Sequence, residues 1–307
     1  MKKQLSLAVS LLTVFICAHG QKPDTAWLML HYKFTWVRDT ANREHPYTEN
    51  MVLFVGKSAS AYRSYDGLVA DRQFKKAYAE AVASSPDGKP EVNRRHAGSG
   101  TQYFQYPLEY KLYTRAMMFT GEYVIEDAMP VINWKISGDT ATFGGLHCQE
   151  ATCHFKGRDY VVWFCPDLPV HTGPWKLNGL PGVIVDARDT KNEVIFKFDG
   201  VEKTAPSPLK DRSTANTNET ANTDPNDVNP LIRDLNDDPN LIEPPARAIK
   251  TTQDKFDKMQ AAVKKNPEAV AQAINSEAGR GSADKPMIRT THGNGAGLNN
   301  PIELSEK

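Results

Sequence analysis

The chain has 307 residues, with 37 basic side chains against 37 acidic ones, 40% apolar and 24% charged content. Zero net charge excludes the basic footprint expected of a nucleic-acid binder or a protein held on an anionic membrane. A mean hydropathy of −0.52 and an apolar share below the usual ~45–50% imply that part of the chain adds little to a packed core.

The N-terminus reads as a secretory signal. Lys2 and Lys3 precede an apolar run over residues 5–17, and Ala18-His19-Gly20 offers small residues for cleavage after Gly20. Cys17 follows bulky Phe15 and Ile16, which does not suit a lipoprotein site. The run is too short for a permanent anchor, and no later segment has the ~18 apolar residues of a membrane helix. The chain is therefore expected to be exported, periplasmic or outer-membrane associated, with no transmembrane span.

All five tryptophans lie between residues 21 and 204, and Phe256 is the single Phe, Tyr or Trp after 204. Large aromatics dominate core energetics. Residues 21–204 are thus the expected globular domain.

Within it the hydrophobic period is mostly two. Leu28, Leu30, Tyr32, Phe34 and Trp36 share one face of residues 26–37, and His31, Lys33 and Thr35 the other. That alternation marks a half-buried strand. Further strands are expected at 51–55, 101–104, 110–113, 122–125, 131–136, 146–155, 160–165, 182–187 and 194–198. Short connections favour an antiparallel sheet over βαβ units. One helix is expected over 68–82, where Phe74, Ala77, Tyr78, Ala81 and Val82 follow helical spacing. The fold class is mainly β (α+β): a curved antiparallel sheet or half-barrel with this internal helix and C-terminal helices packed on it.

Residues 205–249 are rich in Asn, Asp, Thr and Pro and are expected to be a disordered insertion, since few side chains there could offset the ordering entropy. Residues 250–279 read as a helical segment in two parts. Thr251 or Thr252 can cap the first part. Asn266 and Pro267 open the second, and Gly279 ends it. Residues 280–307 are expected to be a flexible tail.

Three cysteines follow the signal. With Lys156-Gly157 as a two-residue hairpin turn, Phe155 faces Arg158, Cys153 faces Tyr160 and Cys148 faces Cys165. The last pair falls on a non-hydrogen-bonded site with Cα atoms about 4.5 Å apart, within reach of a disulfide. A Cys148–Cys165 bridge is therefore expected, with Cys153 a buried free thiol. A bridge from Cys148 to Cys153 along one strand would have to span roughly 16 Å. The same stretch invites a metal reading through His147, Cys153, His154 and His171. Successive strand residues point to opposite faces, so neither face gathers four ligands. No G-x-S-x-G, H-E-x-x-H, Walker loop or G-x-G-x-x-G is present. No catalytic residue and no cofactor is expected.

The stretch 168–184 is distinctive. Gly173-Pro174 makes a rigid corner, Trp175 can pin a long loop to the sheet, and Pro181-Gly182 fits the centre of a type II turn. The loop reads as a stiff packed connection, or else as a ligand-facing loop with Trp175 at its mouth. Gly179-Leu180-Pro181-Gly182-Val183-Ile184 resembles the namesake hexapeptide of the GLPGLI family of secreted Bacteroidetes proteins. Ser58 to Ser64, Trp134, the run 145–152, the Phe155 to Arg158 stretch and Val162-Trp163-Phe164 resemble that family's further motifs, so that the resemblance covers about residues 51–204. It implies an exported, β-rich protein of unknown function with no established catalytic residues to carry over. Asp-Thr-Ala at 24–26, 39–41 and 139–141 resembles an O-glycosylation acceptor of such secreted proteins.

The function expected from these features is a non-enzymatic binding or accessory role in the periplasm or outer membrane. Its partner would be an envelope protein or an apolar ligand, without nucleic acid. The alternative is a zinc- or copper-binding protein or enzyme using His147, Cys153, His154 and His171.

Overall fold

The computed structural model describes residues 23–84, 97–118, 121–204, 238, 240–267 and 298–306. The chain forms one large open sheet, mainly β with few helices and not closed into a barrel. Its strands are β2 (Leu28–Trp36), β3 (Tyr47–Val55), β4 (Ser60–Ser64), β5 (Gln102–Tyr106), β6 (Lys111–Met118), β7 (Gly121–Ala128), β8 (Lys135–Phe143), β9 (Leu146–Phe155), β10 (Arg158–Cys165), β11 (Val183–Asp189), β12 (Val194–Lys203) and β14 (Ile249–Thr251). Across the sheet the order is β14-β7-β6-β5-β4-β3-β2-β12-β11-β10-β9-β8. Two meanders, β2 to β7 and β8 to β12, thus join where β12 lies beside β2. Every pairing is antiparallel except that of β14 with β7. β1 (Asp24–Thr25) and β13 (Leu241–Ile242) form a separate two-stranded pair.

The period-two reading holds. Leu28, Leu30, Tyr32 and Phe34 are buried on one face and join β9 to β12 and Trp175 in the main core. The opposite face of β3 to β7 carries a second core with Val52, Phe54, Phe104, Tyr106 and Tyr113, covered by Tyr65 and Leu68 of α1 (Tyr65–Ser84) and by Ile242. α2 (Gln253–Lys265) docks Phe256 edge-on against Tyr123 of β7, ring centroids 5.6 Å apart. Thr252 takes its N-cap position with extended backbone, but its hydroxyl makes no cap bond. The second helix expected after Asn266 falls almost wholly outside the described residues.

Several expectations shift. Val131 to Trp134 is unpaired, and the strand expected there runs instead as β8 from Lys135. β8 is an edge strand, largely exposed, so it needs no apolar alternation. β4 escapes the pattern because it is five residues long and carries two serines. The stretch 205–249 was expected to be disordered; its end is ordered, with Ile242 fully buried against the second core. The flexible tail expected over 280–307 is likewise corrected at 298–306, which is packed onto the sheet.

Candidate functional site

The β9–β10 hairpin has the expected register. Lys156 (φ 51°) and Gly157 (φ 69°) make the two-residue turn, both in the left-handed region that a twisted hairpin favours. Tyr160 pairs with Cys153, and the ladder runs to Phe164 opposite Gln149. The expected Cys148–Cys165 disulfide is corrected: all three cysteines are free and buried. Regular pairing ends one step short of that pair. The Cys148 thiol leans toward the Leu146 carbonyl, 3.6 Å away. Burial, then the neighbouring Cys165 sulfur, push the Cys148 thiol up to about 12. Burial also pushes the Cys153 thiol up to about 12.

The proposed metal ligands do not converge. His147 is exposed beside Asp167, at 3.2 Å. His154 is exposed and lies 2.7 Å from Asp159 and 3.3 Å from Glu306. Cys153 turns inward, and His171 sits on the rim of a separate cleft. Among the described residues no group of three or more His, Cys, Asp or Glu is arranged to hold a metal ion.

The 168–184 loop is the packed connection rather than the exposed mouth. Trp175 is 2% exposed and adopts φ 57°, a left-handed conformation that a bulky residue holds only when its surroundings fix it. Gln105 of β5 supplies the fixing. Its amide nitrogen lies 3.3, 3.1 and 3.2 Å from the carbonyls of Gly173, Trp175 and Leu177. Its carbonyl accepts from Thr172, which also bonds Ser60 at 2.6 Å. Trp134 donates to Asn178 O at 2.8 Å, and Trp163 packs on Phe143. The expected type II turn at Pro181-Gly182 is corrected: Gly182 N–H donates to Leu180 O at 2.8 Å, a tighter three-residue turn. Gly182 is needed for close approach, because a Cβ there would lie 2.2 Å from the Cys165 carbonyl. Gly179 carries the positive φ, at 91°.

Beside Trp175 the inner face of the sheet holds a cavity of about 200 Å³. The register explains its walls. Phe196, Phe34 and Glu49 lie in one cross-strand row, and Trp36 with Tyr47 in the next. Tyr62 pairs with Tyr103 on the adjoining strands. Phe34 stacks on Phe196 (5.1 Å, 25°) and Trp175 lies nearly parallel to Phe196 (6.3 Å, 12°). Met51 and Ile302 add aliphatic surface. The polar complement is small. Glu49 is buried; its carboxylate accepts from the Tyr47 hydroxyl and the Ser99 N–H. The Arg38 guanidinium stacks 3.5 Å over the Tyr47 ring. On two residues of this lining, Arg38 Nε and the Tyr62 hydroxyl are buried without a partner, and neither atom presents accessible surface. A larger open cleft of about 500 Å³ lies beside the loop, with Leu108, Tyr110, Val131 and His171 on its walls. None of the unpartnered buried atoms lines it.

The chain end closes the cavity. Ile302 forms part of the wall, and residues 298–306 are latched by Arg158, whose side chain is 2% exposed. Its Nε donates to Ile302 O (2.9 Å), and its other nitrogens reach Asp189 (2.7 Å), Glu193 (3.1 Å), Asn300 (2.6 Å) and Pro301 O (2.7 Å). Trp36 donates to Asn300 O, and Lys156 and Lys176 pair with Glu303.

The sequence singled out Trp175 and Arg158, and Tyr62 only as part of the Ser58 to Ser64 motif, but not Arg38, Tyr47, Glu49 or Tyr103. One signal was present: β3 extends upstream to Tyr47, so Tyr47, Glu49 and Met51 alternate inward and set a carboxylate in a core-facing position.

No family model and no curated protein matches the chain. Two solved structures of PNGF-II, in the P21 and C2 space groups, align with TM-scores of 0.47 and 0.46 at 10% and 11% identity. Each alignment covers 76% of this chain and 32% of that one. The chain therefore spans about a third of those proteins, and likeness at this level carries no functional inference. No helix among the described residues is long and apolar enough to cross a membrane.

Proposed function

We propose that this chain is an exported, non-enzymatic binding protein of the cell envelope, a member of the GLPGLI family. Its ligand is a small, largely apolar molecule held in the aromatic cavity. The observation that carries this reading is the cavity itself: about 200 Å³ walled by Phe34, Met51, Tyr62, Trp175 and Phe196, with the buried Glu49 among its lining residues. Ligand sites combine apolar walls with a few placed polar groups in this way. The family reading rests on the Gly179 to Ile184 hexapeptide and on Trp134, Arg158 and Trp163, of which Arg158 holds the segment that brings Ile302 to the wall. Export rests on the first twenty residues.

Calorimetric titration of the purified protein with toluene tests the cavity. One saturable site is expected, and Met51→Trp, which fills the space, should abolish it, whereas Met51→Leu should not. Absence of binding in the wild type overturns the reading. N-terminal sequencing of the protein from an envelope fraction should begin at Gln21; an intact Met1 would sink the export assignment.

A further inference from the structure

We infer that residues 298–306 occupy a peptide-recognition groove, and that the groove takes this segment from a second copy of the chain as well as from its own. The inference goes beyond the ring cavity and rests on the hydrogen bonds that hold the chain end. The groove is braced without that end. Arg158 commits Nη1 to Asp189 (2.7 Å) and Glu193 (3.1 Å). Asp189 in turn accepts from the N–H groups of Glu193 and Val194, and Glu193 pairs with Arg43. The other side of the fork, Nε and Nη2, donates to the segment at Ile302 O, Pro301 O and the Asn300 side chain. A guanidinium fixed in this way meets an extended main chain with little left to order on binding.

Side chains add a sequence requirement. Asn300 is 4% exposed. Its amide oxygen accepts from Arg158 at 2.6 Å, and its amide nitrogen donates to Val37 O (2.7 Å) and Glu193 (3.0 Å). An aspartate there would set an oxygen against two acceptors, so the groove reads Asn and rejects Asp. The backbone at this residue is read too: its carbonyl accepts from the Trp36 indole N–H, and its own N–H donates to Arg38 O. Ile302 joins the aromatic wall, and Glu303 pairs with both Lys156 and Lys176. The recognised pattern is Asn-Pro-aliphatic-acidic, which this chain carries at residues 300–303. Residues 268–297 precede the segment, and a chain of that length reaches at most about 100 Å. Covalent reach thus allows the end of one copy to enter the groove of another. A tethered segment meets its own site at an effective concentration on the order of millimolar, so exchange between copies needs protein at a comparable concentration.

Fluorescence anisotropy of a labelled synthetic peptide, residues 297–307, tests the groove on the full chain. Asn300→Asp disables the chain's own end and leaves the groove whole, so this variant should bind the peptide at least tenfold tighter than wild type. A peptide carrying the same Asn300→Asp change should bind it at least tenfold more weakly. Thermal melts confirm the fold, and Ile302→Ala, which weakens the end without adding charge, repeats the comparison. Wild type refolded at millimolar concentration should give a dimer by light scattering, and Asn300→Asp should not. No peptide binding to either variant makes the end a fixed part of the fold and overturns the groove. Equal binding of the Asn and Asp peptides overturns the sequence requirement. Peptide binding without a dimer overturns the second copy as occupant.

Discussion

Replacing Arg158 with Met tests whether the chain end is a structural part of the domain. All five guanidinium N–H groups have an acceptor: two carboxylates, the Asn300 side chain and two carbonyls of residues 301 and 302. Methionine has a similar length and removes every one of these bonds. Asp189 keeps the backbone N–H groups of Glu193 and Val194, and Glu193 keeps Arg43 at 2.8 Å. Both acids are nevertheless left without their shared buried cation. Removing one partner of a buried ion pair costs about 3–5 kcal/mol, a large part of a stability of about 5–15 kcal/mol. Urea unfolding followed by tryptophan fluorescence should show that loss as a lower midpoint. Limited proteolysis read by mass spectrometry should show cleavage within 298–306, because Pro301 O and Ile302 O lose their donors. Arg158→Lys keeps the charge but offers three donors in place of a five-donor fork, and should fall between. A midpoint for Arg158→Met within about 1 kcal/mol of wild type, with 298–306 still protected, would refute the latch.

Acid should loosen the same latch. Burial raises the Glu193 and Glu303 carboxyls, but Arg43 and Arg158 on the first and Lys176 and Lys156 on the second bring both below the usual range. A depressed carboxylate adds stability above its unfolded value and loses it as pH falls through the folded one. Hydrogen exchange of 298–306 should therefore lose protection below about pH 4; protection that stays flat through that range counts against the assignment. Gly157→Ala should displace the same segment, since a Cβ would lie 2.7 Å from the Leu304 side chain at a φ of 69°; a cost of about 1–2 kcal/mol in urea midpoint is expected. Tyr160→Phe should leave stability unchanged or raise it by up to about 1 kcal/mol, because its hydroxyl is buried and unpartnered. Tyr32→Phe should cost about 1 kcal/mol, because its hydroxyl donates to Ile184 O at 2.7 Å. Reversed signs in thermal melts would refute both. Native protein starting at Gln21 should resist a thiol reagent at pH 8 and yield three thiols once unfolded without reductant, since burial holds Cys148 and Cys153 at about 12. One thiol in place of three would restore the Cys148–Cys165 bridge.

Most of the sheet was legible because alternation and turn chemistry are local. β2, β9 and the register of the β9–β10 hairpin follow from residues adjacent in sequence. Strands that borrow their stability from elsewhere were not legible. β8 is polar and survives as an edge, and β13 is two residues that gain burial from β1 and the second core. The tail at 298–306 carries only Leu298, Ile302 and Leu304 as apolar side chains. What orders it is Arg158, over 140 positions earlier, and no local pattern reports a bond across such a separation.

The cavity was half-legible for the same reason. Trp175 was expected to pin its loop to the sheet, and it does so nearly parallel to Phe196. The space beside them exists because three distant choices coincide. Gln105 pins the carbonyls on either side of Trp175 and so holds the ring in place. Inward-facing β3 spends one position on Glu49, which no aromatic then fills. Ile302 arrives from the chain end and shuts one side. A void in a folded core forfeits contact energy on every lining atom, and a buried donor without an acceptor forfeits more. Here the void is walled by Phe34, Tyr62, Trp175 and Phe196, whose rings lose contacts on the side that faces it.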